Sequence, residues 1–254
     1  MNPVFSSSLR QSCRGAGFWL GVVLIPLLVF VPQADTLAEA LRQPEGQAAG
    51  FALRFFQDGI KGDSLAFFLP LLCALPAAAG FLDDWKTGYL KFVLPRCRRG
   101  SYLWGKILAC AVSGGLVLLL GLLLAAGACL LALPPLEQEA LDADSLRGLL
   151  RQLLPSVLLL SLSGGFWAAF GMLFSTVTGS RYVAYLSPFI GYYLLVILCE
   201  RYFPALYVLY PWEWLFPGEG WPLGALGAAL WVGELLLLVL ALFVGAAGRR
   251  LRNG

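Results

Sequence analysis

The stretch from Phe81 to Lys106, FLDDWKTGYLKFVLPRCRRGSYLWGK, decides how the rest of the chain is read. It carries six basic residues (Lys86, Lys91, Arg96, Arg98, Arg99, Lys106) and two acidic ones (Asp83, Asp84), and long apolar runs flank it on both sides. A dense charged segment between two greasy ones must lie in water or against another protein, because charge inside hydrocarbon is costly.

The composition agrees. Of 254 residues, 59% are hydrophobic and only 13% charged, with a mean hydropathy of +0.77. Several apolar runs reach the roughly 20 residues that a helix needs to cross a bilayer core of about 30 Å. The expectation is an all-α membrane protein whose single domain, 1–254, is the membrane bundle itself. The chain has no histidine, which removes histidine-based acid/base chemistry and the commonest zinc and haem ligand sets. Its six cysteines contain no CxxC pair, so neither a disulfide framework nor a metal site is expected.

Outward from the charged stretch, the apolar runs predict six spans, at about 16–33, 65–82, 104–133, 153–177, 182–199 and 223–247. The segment before the first span holds Arg10 and Arg14, with Phe5, Leu9 and Cys13 at helical spacing. It could be a secretory signal, but no small-x-small cleavage site follows Val31. An amphipathic N-terminal helix leading into a retained span is the better reading. Residues 33–64 are mixed and polar and predict short amphipathic helices at the membrane surface. Pro70 and Pro76 should kink the second span. The third run is longer than the hydrocarbon needs and should tilt or project at the end joined to the charged stretch. Residues 134–152 predict a loop. Residues 201–222, RYFPALYVLYPWEWLFPGEGWP, are too broken to cross and too aromatic for an ordinary loop, so they predict a re-entrant or interfacial hairpin.

Six spans place the N-terminus, residues 83–106, the 178–181 turn and the C-terminus on one side, with twelve bases and two acids. The other side receives six bases and twelve acids. By the positive-inside rule both termini and the charged stretch are cytoplasmic.

Residues 100–107 (GSYLWGKI) match all but the last position of the GxxxxGK(S/T) phosphate loop. Ile107 has no hydroxyl for magnesium and no strand precedes it, so the match is rejected. Lys106 reads instead as an interfacial anchor with its stem in lipid. Asp83 and Asp84 are adjacent, about 100° apart on a helix, and form no catalytic carboxylate pair. No enzymatic activity is expected of this chain.

Glu234 is the one ionisable residue inside an apolar span. It either hydrogen-bonds a neighbouring helix, with Ser161 or Ser163 as candidate partners, or belongs to a substrate path. Gly164, Ala168 and Gly171, with Gly224 and Ala228, put small residues at three- and four-residue spacing, which suits close helix packing within the bundle or between subunits.

The order acid, three residues, glycine, apolar stretch, proline, base and lysine resembles the loop between the second and third spans of type-2 ABC exporter permeases. Here it reads Asp84, Gly88, Leu90–Leu94, Pro95, Arg98 or Arg99, and Lys106. The acid is Asp where Glu is usual, the glycine–proline stretch is short, and Pro95 to Lys106 is one residue longer than the common form. The six-span plan and the broken hairpin before the last span are also similar to that family.

The resemblance implies that the loop forms a cytosolic coupling helix in the groove of a separate ATPase subunit. Its coupling residues would be Asp83, Asp84, Gly88, Tyr89, Leu90, Phe92, Pro95, Arg98, Arg99 and Lys106, with apolar Tyr89, Leu90, Phe92 and Val93 buried in the ATPase cleft. It further implies a permease subunit in a bacterial inner membrane, exporting a hydrophobic or amphipathic substrate such as a peptide, an antimicrobial or a drug. Two ATPase subunits and a second permease chain, identical or related, would complete the transporter. ATP and magnesium would be held by the ATPase, and no cofactor by this chain. The alternative is a secondary transporter or channel using Glu234, which would want more intramembrane charges or an inverted repeat than the sequence offers. A membrane-embedded protease is a third option, weakened by the missing histidine.

Overall fold

A computed structural model describes residues 3–42, 49–133, 143–203, 205–218 and 220–253; of the expected loop at 134–152, residues 134–142 lie outside this set. The described residues form helices and turns with no strand among them. In chain order the α-helices are α1 (Pro3–Arg14), α2 (Ala16–Phe30), α3 (Ala34–Arg42), α4 (Phe51–Ile60), α5 (Asp63–Ala74) and α6 (Gly80–Lys86). They continue with α7 (Leu90–Val93), α8 (Arg99–Ala132), α9 (Ala143–Thr178), α10 (Arg181–Ile197), α11 (Pro211–Leu215) and α12 (Ala225–Asn253).

Five helical segments among the described residues are long and apolar enough to cross a membrane: Ala16–Arg42, Arg99–Ala132, Leu153–Thr178, Arg181–Tyr202 and Ala225–Arg252. The chain is a multi-pass membrane protein. The run expected to be the second span is a 12-residue apolar helix, α5, followed by turns and the shorter α6. Pro76 lies in the break, where it can donate no backbone hydrogen bond. In the same break the Ala78 carbonyl is met from α9, the Ser175 Oγ donating to it at 3.1 Å.

α8 and α9 are the central pair, and α1, α2, α10 and α12 pack around them. Small residues make the α8–α9 contact close. A Cβ on Gly114 would lie 2.4 Å from the Ala168 Cβ and 2.9 Å from the Gly164 carbonyl oxygen. A Cβ on Gly171 would lie 2.4 Å from the Ala184 carbonyl oxygen. The small-residue patch on Gly164, Ala168 and Gly171 therefore packs inside the bundle, where methyl groups would separate the backbones. Ala228 of α12 is likewise fully buried, whereas nothing crowds Gly224.

Two expected surface elements sit differently. α3 continues α2 through one 3₁₀ turn, so the first span extends to Arg42 instead of ending near residue 33. α4 does not lie on lipid: Leu53, Phe55, Phe56 and Ile60 are buried against α2 and α8. The aromatic hairpin is partly core as well, with Trp214 buried and stacked on Trp167 at 6.1 Å between ring centroids. In the same hairpin, Tyr210 donates its hydroxyl to Glu200 Oε1 at 3.0 Å. Burial, and then the hydrogen bond to Glu200, push the Tyr210 phenol up to about 12, so it stays a neutral donor at physiological pH.

Candidate functional site: a cross-braced charged segment

The charged stretch folds as α6, a glycine turn, α7 and the first turns of α8. Gly88 ends α6 in the left-handed region (φ +74°) with open space around its Cα. A side chain there meets no neighbour but strains the backbone, which is why glycine is favoured just past a helix end. The turn sends the chain back into α7 and on to Pro95, and α8 then starts at Arg99.

Asp84 points inward from α6. Its Oδ2 accepts from Lys106 Nζ at 2.6 Å and from the Tyr102 hydroxyl, both on α8. The pair is nearly sealed, with side chains 8% (Lys106) and 14% (Asp84) exposed. Gly80 makes room for it: a Cβ there would press on Lys106 Cε at 3.2 Å. The expected role of Lys106 as a lipid-facing anchor is thus corrected. Its stem crosses Gly80 and its charge is neutralised inside the protein.

Asp83, one residue earlier, points elsewhere and binds Arg181 Nε at 2.5 Å, at the start of α10. This pair is half-exposed, at 55% (Arg181) and 41% (Asp83). A third brace comes from the far end of the chain. Arg250 of α12 lies 5.6 Å from the Trp85 ring centroid, close enough for a cation–π contact. Its Nη1 also donates to the Thr176 carbonyl near the end of α9. The short α6 is therefore tied to α8, α10 and α12.

These contacts gather the 83–106, 178–181 and 249–252 segments at one end of the bundle. A cavity of about 250 Å³ brings Ser8 and Ser12 of α1 to the same place, beside Asp83, Asp84 and Lys106. The four segments that the charge count puts on one side are neighbours in space.

The outer face of the segment is unsatisfied. Phe92 is 73% and Tyr89 51% exposed, and Pro95, Arg98 and Arg99 are exposed beside them. A second cavity of about 580 Å³ lies between this segment and Leu251 of α12. Two residues expected in a partner's cleft are placed otherwise. Leu90 is only 5% exposed and belongs to the protein's own core, and Val93 is half-buried. The ten residues singled out thus divide: Asp84, Leu90 and Lys106 face inward, and Asp83 is half-exposed on Arg181. Gly88 makes the turn, and Tyr89, Phe92, Pro95, Arg98 and Arg99 face out.

The structure does not bring Glu234, Ser161 and Ser163 together. Glu234 is exposed on α12, within a stripe of exposed Leu226, Leu230, Leu237 and Leu238. Ser161 Oγ donates to its own helix, to the Val157 carbonyl at 2.7 Å. Ser163 is fully buried and its hydroxyl has no partner among the described residues. Sequence reasoning missed Tyr102, Trp85, Arg181 and Arg250 as parts of this site. Among the described residues no group of three or more Cys, Asp or Glu side chains is placed to hold a metal.

Neither the curated proteins nor the solved structures offer a match to this chain. The family model described as ABC-2 family transporter protein matches residues 3–203, from α1 past the end of α10, and so covers the braced segment and most of the bundle. The chain belongs to the ABC-2 transporter family.

Proposed function

We propose that this chain is the permease subunit of an ATP-driven exporter in a bacterial inner membrane and catalyses nothing itself. Family membership implies partnership with an ABC ATPase subunit. The proposal adds two copies of that ATPase, a second permease chain identical or related to this one, and ATP with magnesium held wholly by the ATPase. It also adds a sixth crossing. From Asp63 to Lys86, α5, the turns and α6 would span about 36 Å at helical rise, enough for the bilayer core. Both termini and the braced segment are then cytoplasmic.

One observation carries this reading. Exposed Tyr89 and Phe92 project from a segment whose base is tied to three long helices through Asp84–Lys106, Asp83–Arg181 and Trp85–Arg250. A coupling helix needs this arrangement, with an apolar, base-rimmed outer face for the ATPase cleft and stiff links that pass its displacement to the spans. The connections between spans are too short for a large domain outside the membrane. That favours hydrophobic or amphipathic substrates, such as peptides, antimicrobials or drugs, taken from the bilayer.

The alternative, a secondary transporter or channel working through Glu234, gains nothing from the position of that residue. An outward-facing carboxylate beside exposed leucines lines no internal path. Reconstituted chain together with its ATPase should expel a fluorescent amphipathic peptide only when ATP is supplied. Transport by the chain alone, driven by an ion gradient and abolished by Glu234→Gln, would establish the alternative.

A further inference from the structure

At the end of α9 remote from the braced segment lies a third cavity, of about 620 Å³. Arg151 at its rim is 24 residues from Ser175 along one continuous helix, or about 36 Å. Lys61, between α4 and α5, and Arg151 bring two cations to this cavity, with Gln57 between α4's buried face and solvent. The apolar part of the lining includes Leu159 of α9 and Trp212 and Phe216 of the aromatic hairpin.

The charge distribution is the telling feature. On this side of the bundle acids outnumber bases twelve to six in the sequence, yet two of those six bases line one cavity and, among the described residues, no carboxylate does. Neither cation has an ion-pair partner among the described residues. Glu213, which neighbours Trp212 in the hairpin, is occupied elsewhere, accepting from the Gly218 backbone N–H at 2.8 Å and from Trp221 Nε1 at 3.1 Å. Two cations at one cavity with no counter-charge among the described residues, on an apolar floor, make a site for an anion attached to something greasy.

We propose that this cavity binds the phosphodiester headgroup of an anionic phospholipid. The guanidinium of Arg151 matches a phosphate in its planar fork, and Lys61 adds a point charge. Trp212 and Phe216 sit where aromatic side chains meet the headgroup layer and leave room for the first carbons of the acyl chains. The lipid would bridge α4–α5, α9 and the hairpin before α12, three elements that among the described residues share no ion pair.

The test is native mass spectrometry of the purified full-length chain, with phosphatidylglycerol or phosphatidylcholine added at equal concentration. The double variant Lys61→Gln/Arg151→Gln removes both cations, which are exposed and contribute nothing to the core. Arg42→Gln/Arg54→Gln makes the same charge change on the same side outside the cavity. The wild type should keep at least one phosphatidylglycerol in preference to phosphatidylcholine. The cavity double variant should bind it about thirtyfold more weakly, and the control should bind as the wild type does. Equal losses in both variants would mean diffuse attraction and overturn the proposal, as would full retention in the cavity variant. Displacement of the lipid by an equal concentration of inorganic phosphate would overturn the lipid and leave a free-anion site.

Discussion

Asp84→Asn is the substitution from which most can be learned. It preserves shape and leaves an acceptor for Tyr102, but it strips the counter-charge from Lys106, whose side chain is 8% exposed. Breaking a buried ion pair from one side typically costs 3–5 kcal/mol. With Asp84 itself 14% exposed, a loss of about 3 kcal/mol is the expectation. The neighbouring Asp83→Asn breaks a pair that is half in water, where such pairs are worth about 1 kcal/mol or less. Two adjacent aspartates should therefore differ severalfold in effect. The assay is fluorescence-monitored thermal unfolding of purified protein in detergent, with wild type, both single variants and Asp84→Asn/Lys106→Met measured together. The double variant removes both charges and should recover most of the loss, since replacing a buried pair by neutral groups is often close to neutral. It should fold and yet fail to couple to the ATPase if the brace transmits movement. Equal destabilisation by Asp83→Asn and Asp84→Asn, or no recovery in the double variant, would refute the assignment of a sealed brace.

Three further outcomes follow from local geometry. Gly88→Val should lower thermal stability by about 1–2 kcal/mol because it forces a β-branched residue to positive φ, and Gly88→Asn, which tolerates that region, should lose much less. Along α8, Gly114→Ala should shift the monodisperse chromatographic peak to aggregate by driving a methyl into Ala168 and the Gly164 carbonyl, whereas Gly127→Ala, with nothing within 4 Å, should be neutral or gain up to about 1 kcal/mol. Glu234→Leu should leave the fold of the single chain intact and raise its thermal stability in lipid nanodiscs, because an exposed carboxylate among leucines costs a few kcal/mol in hydrocarbon; a fall in stability would show that Glu234 has a stabilising partner.

Much of the bundle was legible in the sequence because membrane helices announce themselves by length and hydropathy. The small-residue spacing at Gly164, Ala168 and Gly171 did predict close packing, and the aspartate–glycine–proline order marked the segment that the helices brace. What the sequence hid are contacts made across long separations. Asp83 meets Arg181 98 positions away, and Arg250 reaches Thr176 across 74. A lysine at the start of an apolar run reads as a lipid anchor; only the placement of Gly80 and Tyr102 turns Lys106 inward. Amphipathic α4 has the pattern of a surface helix, and the same apolar face serves equally well against α2 and α8. Leu90 and Phe92 carry similar signals in the sequence, but α7's orientation buries one and exposes the other. For the second span, Pro70 and Pro76 signalled a kink, while the break into α5 and α6 depends on Ser175 to meet a carbonyl there.

The central claim is that the outer face of this segment receives an ATPase. Epitope-tagged chain solubilised from its own cell's membranes should bring down a soluble ABC ATPase identifiable by mass spectrometry. Phe92→Ala/Arg98→Glu, two changes confined to exposed side chains, should abolish that recovery while leaving the chain's own yield and elution volume unchanged. Recovery of the ATPase at wild-type levels with the double variant, or of no ATPase with the wild-type chain, would contradict the account.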